Sequence, residues 1–207
     1  MASSSLDDFL RQFYPFSPAQ LAAIHQQAVP RHYGPGDYFS QAGHVAQQLA
    51  FIEAGIFRVY YLDPDGGDTT KYFVDETNVL VDLQSYQTQQ SATDWVQAVT
   101  PVRALVFSAR AWQALRQALP VWPQVEQRLF TQALLTKLNR RSALVSLDAA
   151  TRYEQFLTAF PGLINRVPLA YVASYIGVTP QSLSRLRRPG GKLGAPCGLP
   201  ASSPEVG

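Results

Sequence analysis

The C-terminal quarter of the chain holds side chains whose types and spacing suit hydrogen bonding to DNA. Gln181, Arg185 and Arg188 recur at intervals of four and three residues, which places them on one face of a helix. In the major groove a glutamine can pair with adenine and an arginine with guanine. Further candidates for base or phosphate contacts are Thr179, Ser182, Ser184 and Arg187. This spacing predicts a DNA-binding surface.

The residues that precede this face predict the element that would present it. Ala173 supplies the small side chain needed where two helices cross, and Gly177 supplies the residue that tolerates a positive φ in the turn. Thr179 and Pro180 are suited to the N-cap and first position of a second helix. The apolar residues at the positions to be buried are Val172, Ile176, Val178, Leu183 and Leu186. The pattern predicts a helix-turn-helix, the alternative being a helical hairpin with a solvated basic face.

Charge is divided unevenly along the 207 residues. Residues 1–120 contain 11 acidic and 7 basic side chains, a net charge of −4, whereas residues 121–207 contain 4 acidic and 10 basic ones, a net charge of +6. A basic half is a candidate for meeting phosphates. The single cysteine, Cys197, excludes an internal disulfide framework, a multi-cysteine zinc site and a four-cysteine iron–sulfur cluster.

Hydrophobic periodicity changes three times along the chain and predicts an α+β fold of four parts. Residues 1–120 begin with helical spacing and continue with short β-rich runs separated by glycine turns, which predicts an antiparallel β-roll or jelly roll. Residues 121–148 predict a long central helix, residues 149–188 a C-terminal helical unit with the helix-turn-helix, and residues 189–207 a disordered tail rich in Pro, Gly and Ser.

The central helix, predicted to run from Trp122 to Leu147, carries two apolar stripes. One consists of Trp122, Val125, Leu129 and Ala133, and the other of Phe130, Leu134, Leu138 and Val145. One stripe suffices to dock a helix on its own domain. The second indicates a partner helix and hence a homodimer, unless the helix is sandwiched within one chain.

This order of elements resembles the Crp/Fnr family of bacterial transcription regulators. The similar segments are residues 34–37 (GPGD), 51–60 (FIEAGIFRVY), 152–153 (RY) and, most specifically, 172–185 (VASYIGVTPQSLSR). The resemblance implies a cyclic-nucleotide-binding-like jelly roll, dimerisation through the central helix and binding to palindromic double-stranded DNA. It also implies RNA polymerase as a partner.

Two departures from the family qualify this expectation. The family's ligand cassette resembles Gly-Glu followed by Arg-Ser, whereas residues 72–102 contain no Gly, Lys, Arg or His but do contain Asp75, Glu76, Asp82 and Asp94. Carboxylates without a cation or glycine nest would repel a phosphate, so we do not expect a cyclic nucleotide as the effector. The β-hairpin wing that often follows the reading helix is also missing, since residues 189–191 (PGG) end the pattern.

Other chemistries find no support in the sequence. His25, His32 and His44 do not have the spacing of a jelly-roll metal site, and neither a nucleophile elbow nor a phosphate-binding loop of the Walker type occurs. We expect no enzyme activity, no metal, no cofactor and no membrane segment, and a cytoplasmic location, since the N-terminus lacks the pattern of a secretory signal. The alternative function is a sensor or scaffold that does not bind DNA and whose β-roll binds a small neutral ligand or a protein partner. The uncharged side chains that suggest a neutral ligand are Gln84, Ser85, Gln87, Thr88 and Gln89.

Overall fold

The computed structural model describes residues 5–140 and 147–187. It begins with two short helices, α1 (Leu6–Arg11) and α2 (Pro18–Gln27). Ser5 and Ser17 start these helices with capping boxes, in which each serine hydroxyl accepts a hydrogen bond from the backbone of the third helical residue. Both helices bury apolar side chains against the β structure that follows.

Two four-stranded antiparallel sheets form the centre of the fold. The strands, listed in chain order, are β1 (Val29–Tyr33), β2 (Tyr38–Ser40), β3 (Gln48–Ala54), β4 (Phe57–Leu62), β5 (Asp68–Val74), β6 (Val79–Leu80), β7 (Trp95–Ala98) and β8 (Val102–Ser108). Their order is β1-β8-β3-β6 in one sheet and β2-β7-β4-β5 in the other. The antiparallel β structure expected from the turn signals is confirmed, and α3 (Leu83–Thr88) lies between β6 and β7.

A glycine makes the short turn between β3 and β4 possible, which connects the two sheets. Gly55 has φ +96°, and a Cβ atom built on it would collide with the Pro101 carbonyl oxygen and with Val102. Only a residue without a side chain fits this combination of positive φ and close approach. The turn joins β3 of one sheet to β4 of the other.

Within the described residues, six helical segments follow the strands. They are α4 (Ala109–Ala118), α5 (Trp122–Arg140), α6 (Ala149–Ala159), a 3-10 turn (Leu163–Asn165), α7 (Leu169–Ile176) and α8 (Pro180–Leu186), the 3-10 turn connecting α6 to α7. The long helix does not reach its predicted end, because Leu147 is not helical and Asp148 caps α6 by accepting a hydrogen bond from the Thr151 amide. Residues 141–146, and with them Val145, lie outside the described residues.

Helix α5 packs on its own chain through the first of its two predicted stripes. Trp122, Val125 and Leu129 are buried in a core that also holds α1, α2 and α4. Phe130, predicted for the second stripe, is buried there too, because its ring stacks on Trp112 at 6.0 Å. The apolar surface that α5 leaves exposed therefore consists of Leu134 (45%), Leu135 (54%) and Leu138 (57%).

Candidate nucleic-acid interface

The turn between α7 and α8 has the geometry that the sequence predicted. Gly177 ends α7 in the left-handed region (φ 74°, ψ 43°), and the Val178 amide donates to the Ala173 carbonyl oxygen at 3.0 Å. Ala173 is fully buried, as are Val172, Ile176 and Leu183. A Cβ-bearing residue at Gly177 would have to adopt a conformation that costs about 1–2 kcal/mol. The two helices are thus joined by a tight turn on a common apolar side.

Helix α8 presents polar side chains on the side away from that apolar contact. Thr179 caps the helix by accepting a hydrogen bond from the Ser182 amide at 3.2 Å. Gln181, Ser184, Arg185 and Arg187 are exposed, whereas Ser182 is half-buried. Arg188, the last predicted DNA-contacting residue, lies outside the described residues.

Helix α7 is docked on the β2-β7-β4-β5 sheet through a serine hydroxyl. Ser174 Oγ accepts a hydrogen bond from the Thr70 amide at 2.9 Å and donates one to the Asp68 carbonyl oxygen at 2.9 Å. Thr70 and Asp68 belong to β5, which is the last strand of its sheet. The hydroxyl therefore forms hydrogen bonds with two backbone groups on the open edge of β5. Within the described residues, no further strand pairs with that edge.

A buried arginine strengthens the same contact. Arg58 of β4 is only 2% exposed, and its guanidinium lies between the rings of Tyr60 (4.1 Å) and Tyr171 (3.7 Å). Two of its nitrogens donate to the Asp68 carboxylate, at 2.8 and 3.1 Å. Cation–π contacts of desolvated arginines contribute about 2 kcal/mol. Arg58 thus links the sheet to α7 through Tyr171.

The turn between β5 and β6 carries two further ion pairs to the helices. Asp75 Oδ1 lies 2.7 Å from Arg140 Nη1 of α5, and Glu76 Oε2 lies 3.0 Å from Arg166 Nη1, just before α7. Partial burial acts to raise the pKa of Glu76, but hydrogen bonds from Arg166 and from the Gly55 amide outweigh it and hold the pKa below its usual value. The C-terminal helical unit and the sheet share one apolar core, in which the ring centres of Phe73 and Phe160 are 5.7 Å apart.

Two cavities lie beside α3. The smaller, about 250 Å³, is lined by Lys71, Asp82, Asp94 and Lys137 among others. Lys71 Nζ lies 2.6 Å from Asp94 Oδ1, so this cation is already paired with a carboxylate. The larger, about 370 Å³, lies between α3, β6 and α5.

Sequence reasoning missed the cations at these cavities and at the docking contact. Lys71 and Lys137 lie outside residues 72–102, and the structure brings them beside α3 from β5 and α5. The role of Arg58 depends on Tyr171, more than a hundred positions away in the chain. No spacing rule connects such distant residues; the one local signal was an arginine in an otherwise apolar strand.

The described residues form neither a metal-binding cluster nor a membrane-spanning helix. Across residues 5–140 and 147–187, no group of three or more His, Cys, Asp or Glu side chains could hold a metal ion. His25 instead hydrogen bonds to Asp7 at 2.6 Å. No helix within these same ranges has the length and apolar character to cross a bilayer.

Comparison with known proteins gives one family match and many structural ones. Residues 30–118 match the family model of the cyclic nucleotide-binding domain. No curated protein sequence matches the chain. Among solved structures, the c-di-GMP responsive global regulator CLP of Xanthomonas campestris has a TM-score of 0.63 at 14% identity, over 82% of this chain and 89% of that one.

Two other solved structures of bacterial proteins are similar to this chain. FixK2 of Bradyrhizobium japonicum has a TM-score of 0.59 at 17% identity, over 77% of this chain and 82% of its own. The catabolite activator protein of Thermus thermophilus has a TM-score of 0.52 at 16% identity, over 86% and 84%. The resemblance stated from the sequence is therefore confirmed at the level of the fold: residues 30–118 match the cyclic nucleotide-binding domain, and the chain has the fold of the Crp/Fnr transcriptional regulators.

Proposed function

We propose that this chain is a sequence-specific DNA-binding transcription regulator of the Crp/Fnr type rather than an enzyme. The observation that carries the proposal is the arrangement of α8. Its N-terminus is capped by Thr179 and its apolar side is anchored by the buried Leu183, while Gln181 and Arg185 are exposed. A helix held in this way can enter a major groove with its polar side chains directed at the bases.

The proposed active form is a homodimer on a palindromic operator. The exposed leucines 134, 135 and 138 of α5 supply an apolar strip, and a partner copy of the same helix would bury it. We expect Leu138→Glu to convert the dimer to a monomer and to weaken operator binding by more than tenfold. Gln127→Glu, at an exposed polar position of the same helix, should change neither. Sedimentation equilibrium measures the oligomeric state of each variant. A dimer that persists in Leu138→Glu would contradict dimerisation through α5.

We further propose that the regulator does not depend on a cyclic nucleotide. Asp82 and Asp94 line the small cavity beside α3, and Asp94 already neutralises Lys71. A phosphate entering there would meet two carboxylates and two lysines, one of them already paired, so the cavity has no net positive charge to offset that of the phosphate. Binding of cyclic AMP or cyclic GMP in calorimetry would contradict this part of the proposal.

Selection of bound sequences from a random DNA pool tests the function directly. We expect two inverted half-sites about 10 base pairs, or a multiple of that, apart. Arg185→Ala should weaken binding to the selected site by about 1–3 kcal/mol more than binding to random DNA, because it removes a base contact. Arg187→Ala should weaken both equally and reduce the salt slope by about 1, and Arg110→Ala on α4 should change neither.

Equal losses on selected and random DNA for Arg185→Ala would reject its assignment as a base-reading residue. Failure to enrich any sequence would favour the second candidate, a β-roll sensor or scaffold that binds a small molecule or a protein. RNA polymerase is proposed as a further partner, and transcription in vitro from a promoter carrying the selected site tests it.

A further inference from the structure

The larger cavity beside α3 has a polar and an apolar wall. It measures about 370 Å³, within the range in which proteins bind small organic molecules. Phe9, Leu83 and Leu129 contribute apolar surface, and the side chains of Gln84 and Gln132 contribute amides. The cavity therefore suits a molecule with an apolar body that also carries hydrogen-bonding groups.

The charged residues that line this cavity are all cations. Lys137 and Arg140, both on α5, are among its lining residues, and no carboxylate is. Within the described residues Lys137 has no carboxylate partner; its Nζ lies 5.7 Å from the centre of the Tyr72 ring. A partly buried ammonium group without a counter-charge favours the binding of an anion.

Its lack of lining carboxylates distinguishes this cavity from its smaller neighbour. Lys137 lines both cavities, but Asp82 and Asp94 line the smaller one and would repel an acid group there, whereas no carboxylate lines the larger one. The uncharged effector expected from the glutamines of α3 is therefore not the best match to the assembled site. The expectation changes because α5 contributes Lys137 and Arg140 to the cavity, and no sequence pattern indicated that these side chains lie beside α3.

Arg140 connects the cavity to the C-terminal helices. Its guanidinium pairs with Asp75 at 2.7 Å, and its backbone carbonyl oxygen accepts a hydrogen bond from the Tyr175 hydroxyl of α7 at 2.9 Å. An acid group bound beside Lys137 would compete with Asp75 for the guanidinium. Exchange of that partner alters the end of α5 where α7 is attached.

We propose that the cavity between α3 and α5 binds an amphipathic organic anion, with its apolar body against Leu83 and Leu129 and its acid group on Lys137. The anion then replaces Asp75 as a partner of Arg140. The acid group is a carboxylate or a phosphate monoester, since both satisfy a lysine and an arginine. Only the consequence for DNA affinity rests on the proposed function; the binding itself does not.

The test compares an anionic and a neutral fluorescent probe of similar size. We expect 8-anilinonaphthalene-1-sulfonate to bind the full chain, and Lys137→Gln to raise its Kd about tenfold, which corresponds to about 1.4 kcal/mol. N-phenyl-1-naphthylamine, which has no acid group, should be unaffected by Lys137→Gln. Arg110→Gln, which removes the same charge from the exposed surface of α4, should leave both probes unchanged.

Two further variants locate the site and test the exchange at Arg140. Ala133→Phe fills the cavity and should abolish binding of both probes, while Asp75→Asn should tighten binding of the anionic probe several-fold because Arg140 is released. Displacement of the bound anionic probe by decanoate, by decyl phosphate or by both identifies the acid group. Displacement by neither overturns the proposed class.

Equal loss of the anionic probe in Lys137→Gln and Arg110→Gln would also overturn the proposal, as would unchanged binding in Ala133→Phe with native circular dichroism. Unchanged or weaker binding in Asp75→Asn would refute the exchange at Arg140. None of these measurements contains DNA, so their failure is distinguishable from failure of the proposed regulator function. If both hold, decanoate or decyl phosphate should shift the operator affinity of the native chain but not that of Ala133→Phe.

Discussion

The hydroxyl of Ser174 offers a direct measure of how strongly α7 is held on the sheet. The substitution Ser174→Ala removes the acceptor of the Thr70 amide and the donor to the Asp68 carbonyl oxygen. Thr70 is completely buried, so its amide would be left without a partner and without water. An orphaned buried donor costs about 1–3 kcal/mol.

Part of this cost is offset by helix propensity. Alanine is a better helix former than serine by roughly 0.5 kcal/mol, and that gain is common to any serine in a helix. Ser184→Ala on α8 is the matched control, because Ser184 is exposed and makes no hydrogen bond through its side chain in the described structure. Because that gain cancels between the two variants, we expect the free energy of unfolding of Ser174→Ala to lie about 1–3 kcal/mol below that of Ser184→Ala.

Urea denaturation followed by circular dichroism measures the difference, and amide hydrogen exchange locates it. Protection of the Thr70 amide should fall in Ser174→Ala and remain unchanged in Ser184→Ala. If the two variants unfold within about 0.3 kcal/mol of each other, with equal protection at Thr70, the hydrogen bonds of Ser174 do not stabilise the docking of α7.

Two other outcomes follow from the turns around the sheets. Gly55→Ala should destabilise the fold by more than about 2 kcal/mol, since a positive φ and a steric collision combine; thermal unfolding should show a much smaller loss for Gly66→Ala, which has φ +83° but open space. The pKa of Glu76 is lowered in the fold, so its stabilisation is present above the unfolded-state pKa and is lost as the pH falls through the lower folded value. Glu76→Gln should therefore flatten the acid side of the stability curve, and an unchanged curve would show that the Arg166 pair contributes nothing.

The elements most accurately predicted from the sequence were those with local causes. Gly177 requires a left-handed turn, and Thr179 with Pro180 fixes the start of α8 within one residue. The end of α5 was predicted less accurately. The apolar spacing continues as far as Leu147, whereas Asp148 is already the N-cap of the next helix. Periodicity gives the face of a helix more reliably than its end.

The sequence could not show which residues meet across long separations. Arg58 and Tyr171, or Lys137 and Tyr72, come together only because the chain folds the C-terminal helices back on the β5 side of the sheet. Charge counted along residues 72–102 suggested a site without cations, whereas the assembled cavity has two from α5. The chemistry of a site built between distant elements is set by tertiary packing, and no local pattern encodes it.

The position of α7 along β5 also hinders association between copies of the chain through this edge strand. An unpaired sheet margin invites strands of other copies to add to it, which is a common route to misassembly. Here two hydrogen-bonding groups of that margin are taken by one side chain of a helix, and a helix cannot template further strands. If α7 moved away from β5, this margin would be exposed, so solubility and the placement of α7 and α8 depend on the same two hydrogen bonds.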